Sequence, residues 1–274
     1  MIYVQPHSGL ANRIRVIISA LHFAEEKKQP LTILWNKEKN FYCDFEVLFE
    51  MNDRFKVKNI SWVAPGLQRL LSKNLSKIVL IKLFSIDIYI SDEDIKQLVW
   101  DTGTNDIDCT RFSGNEKNFY FFTCHEFYFD KFFLNYLQPV PKIRSLIKDN
   151  ILHFTPDTIG IHIRRTDHIL SIQESPLELF IEAITREILI NKDVQFYLAT
   201  DDFDTESHLL NLFPKKILTY KKVFRRDIKN GIQDAMIDLY SLAATSKIYG
   251  SFYSSFSDIA ARIGNISLQI IKKS

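Results

Sequence analysis

The sequence predicts an α/β protein made of two doubly wound, parallel-sheet halves. Three observations support that. Short β-prone runs alternate with amphipathic helical runs, the pattern of a parallel sheet with helices on its faces. The first 35 residues read as one strand–helix–strand unit. The length, 274 residues, exceeds the usual size of a single domain.

Each element has its own signal. MIYVQ (1–5) is β-prone, and HSGLANR (7–13) is a loop. From Arg13 to Lys28 the residues Ile14, Ile17, Ile18, Leu21 and Ala24 fall on one helical stripe, and LTILW (31–35) is a second strand. Between 40 and 150 the order is harder to read. PGLQRLLSKNL (65–75) and SDEDIKQLVW (91–100) are helical in pattern, the second with Ser91 as N-cap before acidic residues. NFYFFTCHEFY (118–128) reads as a buried strand and its exit, and 101–117 as a turn-rich, exposed stretch.

The second half is more regular. PVPKIRSLIKDNILHF (139–154) predicts a helix, TPD (155–157) a break, and TIGIHIR (158–164) a strand. SPLELFIEAITREILINK (175–192) predicts a helix with Ser175 at the N-cap, Pro176 next and Glu178 three residues after the cap. There follow a strand at 194–200, a strand at KILTY (216–220), a helix at 232–245 and a strand at 247–251. A helix closed by Gly264 and a last strand at 266–271 complete the chain. The expected domains are 1–150 and 151–274.

Composition excludes several classes. Hydrophobic residues at 46% and charged residues at 25% are globular values. The balance of 35 Lys+Arg against 33 Asp+Glu gives +2, without the basic surface a nucleic-acid partner requires. Cys43, Cys109 and Cys124 lack CxxC or Cys/His metal spacing, so reduced thiols and a cytoplasmic location are expected. The N-terminal residues lack signal-peptide character. The most apolar stretch, 78–90, is interrupted by Lys82 and Asp87, so no transmembrane segment is expected, and peripheral membrane contact stays open.

Three loops sit where strands end, the place where open parallel sheets collect ligands. In HSGLANR, Gly9 permits close backbone approach and Asn12 can cap the helix; the loop reads as an anion site or as an ordinary turn. In HIRRTDH, Arg164 and Arg165 offer permanent, fork-shaped donors suited to a diphosphate, with Asp167 able to orient one of them. A surface Arg–Asp pair is the plainer reading. In ATDD and GSFYSSFSD, Asp201 and Asp202 are acceptors for hydroxyls and amines, or an acidic metal pair, although no other metal-spaced cluster accompanies them. Ser254, Ser255 and Ser257 form an anion pocket at a helix start, or simply cap it.

Taken together, HIRRTD, FYLATDD, DLYSLAATSKIYGSFYSSFSDIAARIG and SGLANRIR resemble the signatures of the fucosyltransferase superfamily of GT-B fold. This includes α1,6-fucosyltransferases, nodulation fucosyltransferases and protein O-fucosyltransferases. The resemblance covers 155–265 well and 1–35 loosely. It implies a GT-B-like chain, two Rossmann-like halves facing a cleft, with 1–150 on the acceptor side and 151–274 binding the nucleotide sugar. The implied activity is inverting, metal-independent transfer of L-fucose from GDP-β-L-fucose to a glycan hydroxyl, in polysaccharide biosynthesis. No cofactor or metal is implied; the partners are the donor and a glycan acceptor. Arg164 would neutralise the departing GDP and Arg165 would bind the diphosphate with it. His162, Asp202 and Asp238 would lie near the guanosine, and Ser254 and Ser255 would bind phosphate. The α1,6 branch carries a Lys and then a Glu base after its signature; here those positions hold His168 and Ile172, so His168 or the displaced Glu174 is the candidate base. Alternatives are another nucleotide-sugar donor or a non-catalytic binding module.

Overall fold

The computed structural model describes residues 1–60, 82, 85–102, 117–128, 130–166 and 168–273. The chain divides into two compact units, Met1–Val140 and Pro141–Ser274.

The first unit is built on a five-stranded parallel sheet. Its strands are β1 (Ile2–Pro6), β2 (Leu31–Trp35), β3 (Phe55–Asn59), β4 (Ile88–Ser91) and β5 (Phe119–Thr123), in the order β3-β2-β1-β5-β4. Ile2 sits opposite Leu31 on one side and Phe119 on the other. All of β2 is buried, as a central parallel strand covered on both faces should be. Helix α1 (Leu10–Lys27) starts earlier than the sequence spacing predicts. Gly9, not Asn12, occupies the N-cap, and Asn12 Nδ2 instead donates to Ser8 Oγ at 3.1 Å.

Helix α2 (Asp92–Thr102) begins as expected after Ser91: Asp94 Oδ2 accepts from the Ser91 N–H at 2.7 Å, and the Asp94 N–H reaches Ser91 Oγ at 3.4 Å. The helix expected at 65–75, residues 103–116 of the expected exposed stretch, Cys109 and Asp167 lie outside the described residues.

The second unit repeats the plan. Helix α3 (Pro141–Ile151) leads to β6 (Ile159–Ile163), then α4 (Ile169–Glu174), α5 (Leu177–Ile190), β7 (Phe196–Thr200) and α6 (Phe203–Leu212). There follow β8 (Ile217–Leu218), α7 (Lys229–Ala243), β9 (Lys247–Ser251), α8 (Ser255–Gly264) and β10 (Ser267–Ile271). The sheet order is β10-β9-β6-β7-β8, all parallel. Ile159, Ile161 and Ile163 join Phe180, Ala183, Ile184 and Leu198 in one buried cluster. On the opposite face of β6, Gly160 lets α7 and its C-terminal turn approach closely; a Cβ there would stand 2.8 Å from Thr245 Oγ1.

Two local readings change. Ser175 does not cap α5: its hydroxyl is buried and bonds the Ile271 carbonyl at 2.5 Å while accepting the Phe252 N–H at 2.7 Å. Position 264 ends α8 as expected, but the left-handed residue is Asn265, at φ 50°. In each sheet the strand order reverses once. β2 and β3 extend to one side of β1 while β5 lies on the other; β7 and β8 extend to one side of β6 while β9 lies on the other. Each reversal is a topological switch point, where the carboxyl ends of two neighbouring strands leave a crevice.

Candidate functional site

In the second unit the switch point lies between β6 and β9. Ser251 closes β9, and its buried hydroxyl accepts the Arg164 N–H at 3.1 Å and donates to the His162 carbonyl at 3.3 Å. The end of β6 is thereby tied to the end of β9, and Arg164 begins immediately beyond the tie.

Asp201 organises the other side. Its Oδ1 accepts the Arg165 N–H at 2.7 Å; its Oδ2 accepts from Thr166 Oγ1 and from Arg226 Nη2, each at 2.7 Å. Burial alone would raise this carboxyl, but Thr166, the Arg165 N–H and the charges of Arg226 and Arg164 outweigh it and hold the pKa low. Asp201 is therefore a clamp on the arginine loop, not the open acceptor its sequence suggests. Arg226 was not singled out in the sequence. Its signal was a second adjacent pair, Arg225-Arg226, in a segment without recognisable strand or helix spacing.

Arg165 Nη1 donates to the Ser175 carbonyl at 2.9 Å, while Nη2 is buried with no hydrogen-bond partner among the described residues. Burial lowers the Arg165 pKa against the pull of Glu178, Asp201 and Asp202. An arginine held by its backbone and one nitrogen, with a second nitrogen unsatisfied, is suited to a further oxygen ligand such as a phosphate.

The other expected residues fall into two groups. Ser254 and Ser255 stand where expected, at the N-cap and first position of α8, whose backbone N–H groups carry partial positive charge. Ser257 Oγ is used internally, bonding the Ser254 carbonyl at 3.2 Å. Tyr253, just before, has a left-handed backbone (φ 57°) and a side chain 69% exposed.

His162, by contrast, is buried, stacked on Phe256 at 4.8 Å and 3.5 Å from Ser254 Oγ. Burial lowers its pKa to about 3, so the ring is neutral and buttresses the start of α8. Asp238 is also interior: Oδ1 accepts from Tyr197 at 2.5 Å and Oδ2 from Lys222 at 2.9 Å. Lys222 also pairs with Glu206 at 3.1 Å, so both Asp238 oxygens serve a buried network. Asp202 caps α6, its Oδ2 accepting the Thr205 N–H at 2.8 Å.

His168 caps α4, its Nδ1 accepting the Ser171 N–H at 3.1 Å. A neutral imidazole accepting at Nδ1 carries its proton on Nε2, so neither nitrogen is available to a substrate proton without breaking the cap. Glu174 is half-buried at the end of the same short helix.

In the first unit the switch point lies between β1 and β5. Ser8, one residue before Gly9, takes φ 70°, whereas Gly9 itself is extended at φ −72° with open space where a Cβ would stand. The buried Arg13 holds this loop: Nε donates to the Ser8 carbonyl at 2.9 Å and Nη1 to the Asn36 carbonyl at 3.0 Å. Its guanidinium lies 4.2 Å from the Phe41 ring centre and 4.7 Å from that of Trp35. At the ends of β1, β4 and β5, His7, Asp92 and Cys124 bring a nitrogen, an oxygen and a sulfur within 4.8 Å of one another, the one set among the described residues with metal-like spacing. Asp92 Oδ1 is already taken by Thr123 Oγ1 and the Cys124 N–H, and Oδ2 lies 2.9 Å from His7 Nε2, so a cation would have to displace contacts already made.

Two doubly wound parallel sheets, each with a polar crevice at its switch point, are the GT-B type of α/β architecture. No protein-family model matches the chain, and no curated protein matches its sequence. Solved structures do match. NodZ alpha-1,6-fucosyltransferase soaked with GDP-fucose aligns with a TM-score of 0.65 at 17% identity, over 96% of this chain and 92% of that one. A mutant of Arabidopsis thaliana FUT1 in complex with GDP aligns with a TM-score of 0.65 at 14% identity, over 100% and 70%. POFUT1 in complex with GDP gives 0.55 at 12% identity, over 98% and 97%. The chain has the fold of these fucosyltransferases. Among the described residues no helix is long and apolar enough to cross a membrane.

Proposed function

We propose that the chain is an inverting glycosyltransferase that moves L-fucose from GDP-β-L-fucose to a hydroxyl of a glycan or glycoconjugate. The observation that carries this is the arginine loop at the β6/β9 switch point. It is fixed by Asp201 and Ser251 and presents a buried, unsatisfied Arg165 Nη2 beyond the strand ends. The fold shared with structures that hold GDP or GDP-fucose supports guanosine diphosphate as the ligand.

Chemically, the bond between the anomeric carbon and the β-phosphate oxygen breaks, its electron pair leaves with GDP, and the acceptor oxygen bonds the anomeric carbon. Arg164 meets the charge developing on the leaving group, Arg165 holds the diphosphate, and the α8 N-terminus at Ser254 and Ser255 supplies backbone donors. Fixed guanidinium charge does what a metal ion does in other transferases, so the proposed reaction is metal-independent. In this reading the second unit binds donor, the first receives acceptor, and the product belongs to a cytoplasmic polysaccharide-assembly route.

The test is Arg164→Ala. Removing such a stabilising donor costs on the order of 10²–10³ in turnover, with circular dichroism and the unfolding midpoint unchanged. A variant with near-normal transfer overturns the mechanism.

A further inference from the structure

Three strands of the first sheet run directly into residues whose side chains ligate metals. His7 follows β1, Asp92 follows β4 and opens α2, and Cys124 follows β5. The strand order β1-β5-β4 sets these ends side by side, although no linear motif joins the residues. The nitrogen, oxygen and sulfur of the set lie within 4.8 Å of one another.

We propose that His7 Nε2, Asp92 Oδ2 and Cys124 Sγ form a zinc site within the first unit, with water as the fourth ligand. The inference does not depend on the transferase reading, and no step of that reaction passes through the site. Two observations carry it. The first is that His7 Nε2 is buried without a hydrogen-bond partner, although Asp92 Oδ2 stands 2.9 Å away. A buried imidazole nitrogen that close to a carboxylate oxygen, yet not aligned with it for a hydrogen bond, is satisfied by a cation bound to both.

The second is spacing. Zinc bonds of about 2.1 Å to nitrogen and oxygen and about 2.3 Å to sulfur place tetrahedral ligand atoms about 3.4 Å (N to O) and about 3.6 Å (O to S) apart. The separations here are 2.9 Å from Nε2 to Oδ2 and 3.8 Å from Oδ2 to Sγ. Side-chain shifts of about half an ångström therefore close the set around a metal. Mixed nitrogen, carboxylate and thiolate ligands suit zinc, whereas magnesium and calcium take oxygen.

The ligands are held in place by their own surroundings. Asp92 Oδ1 accepts from Thr123 Oγ1 at 2.7 Å and from the Cys124 N–H at 2.9 Å, which orients the carboxylate and leaves Oδ2 for the metal. The His7 N–H donates to the Thr123 carbonyl at 3.3 Å, and its ring stacks on Phe122 at 4.7 Å. Arg15 fixes Cys124, with Nε and Nη2 donating to its carbonyl at 2.9 and 2.7 Å. The contact a cation displaces is the weak one from the Cys124 thiol to Oδ2 at 3.8 Å. On binding, the sulfur–hydrogen bond gives way to a sulfur–zinc bond and the proton passes to solvent. Carboxylate and thiolate together neutralise the dication, so the nearby charges of Arg15 and Lys96 face no net positive centre.

The test uses the untagged full chain, stripped with a chelator and dialysed against zinc alone, with bound metal measured by mass spectrometry. The expected result is one zinc per wild-type chain, with binding at least about tenfold weaker in His7→Gln and in Cys124→Ser. Cobalt in place of zinc should give the near-ultraviolet charge-transfer absorption of a thiolate–metal bond. That absorption should vanish in Cys124→Ser and persist in Cys43→Ser and Cys109→Ser. Zinc should raise the wild-type melting temperature and leave that of His7→Gln unchanged. Wild type without stoichiometric zinc, wild-type cobalt without thiolate absorption, or full zinc binding by both His7→Gln and Cys124→Ser overturns the site. The two wild-type measurements decide the matter even where a variant fails to fold. None of these outcomes bears on GDP binding, so the site and the transferase reading stand or fall separately.

Discussion

Replacing Asp201 by asparagine tests whether the arginine loop is held as described. The wild-type carboxylate accepts three hydrogen bonds of 2.7 Å, from the Arg165 N–H, Thr166 Oγ1 and Arg226 Nη2, and its side chain is 18% exposed. Asparagine keeps Oδ1 for the Arg165 N–H but turns an amide N–H₂ toward Arg226 and Thr166. Thr166 can reorient its hydroxyl; Arg226 cannot donate to a donor. A hydrogen bond to a charged partner contributes about 1.5–3 kcal/mol. Losing the Arg226 bond and weakening that to Arg165 should therefore destabilise the second unit by about 2–4 kcal/mol. Part of that loss should reach the ligand, since a loosened loop must be ordered again on binding; about 1.4 kcal/mol corresponds to tenfold in affinity. Urea unfolding and calorimetry with GDP measure the two effects. Asp201→Asn with an unchanged midpoint and unchanged GDP affinity refutes the clamp.

Other outcomes follow from buried groups. Arg13→Met removes donors to the Ser8 and Asn36 carbonyls and the Glu38 contact at 3.3 Å, and should cost about 3–5 kcal/mol in urea unfolding. Lys222→Met leaves the buried carboxylates of Glu206 and Asp238 without their shared cation, with a similar cost. Gly231→Ala places a Cβ 1.6 Å from the Arg225 carbonyl oxygen, so the segment bearing Arg226 must move; a melting scan should show a loss of about 1–3 kcal/mol. His162 has a folded pKa of about 3, depressed by burial. Its unfolded value is about 6.5. Between these values the unfolded chain binds the proton and the folded chain does not, so stability is lost as pH falls from about 6.5 toward 3, by up to about 1.4 kcal/mol per unit. Urea midpoints at several pH values should show a flatter acid limb for His162→Gln than for wild type.

The parts of the fold visible in the sequence were those set by local periodicity. Ile14, Ile17, Ile18 and Leu21 gave α1, and the alternation of Ile159, Ile161 and Ile163 gave β6 and its buried face. The arginine pair at the end of β6 was legible because charge directly after a buried strand is unusual. Roles that depend on distant partners were not legible. Asp201 and Asp202 are adjacent and chemically alike, yet one clamps Arg165, Thr166 and Arg226 while the other caps α6. Ser175 carries every local mark of an N-cap, but its hydroxyl bonds Ile271 and Phe252, which lie 96 and 77 residues away in sequence. The His7–Asp92 pair joins residues far apart in the chain, brought together only because β4 and β5 sit beside β1.

The proposed function requires the β6/β9 crevice to bind the diphosphate of a guanosine nucleotide sugar through Arg164 and Arg165. Calorimetric titration of wild type with GDP, UDP and CDP, repeated for Arg164→Ala, tests it most directly. The expected result is saturable binding of GDP at one site, at least tenfold weaker binding of UDP and CDP, and loss of the GDP heat in Arg164→Ala. Equal affinity for the three nucleotides, or full GDP binding by Arg164→Ala, would contradict it.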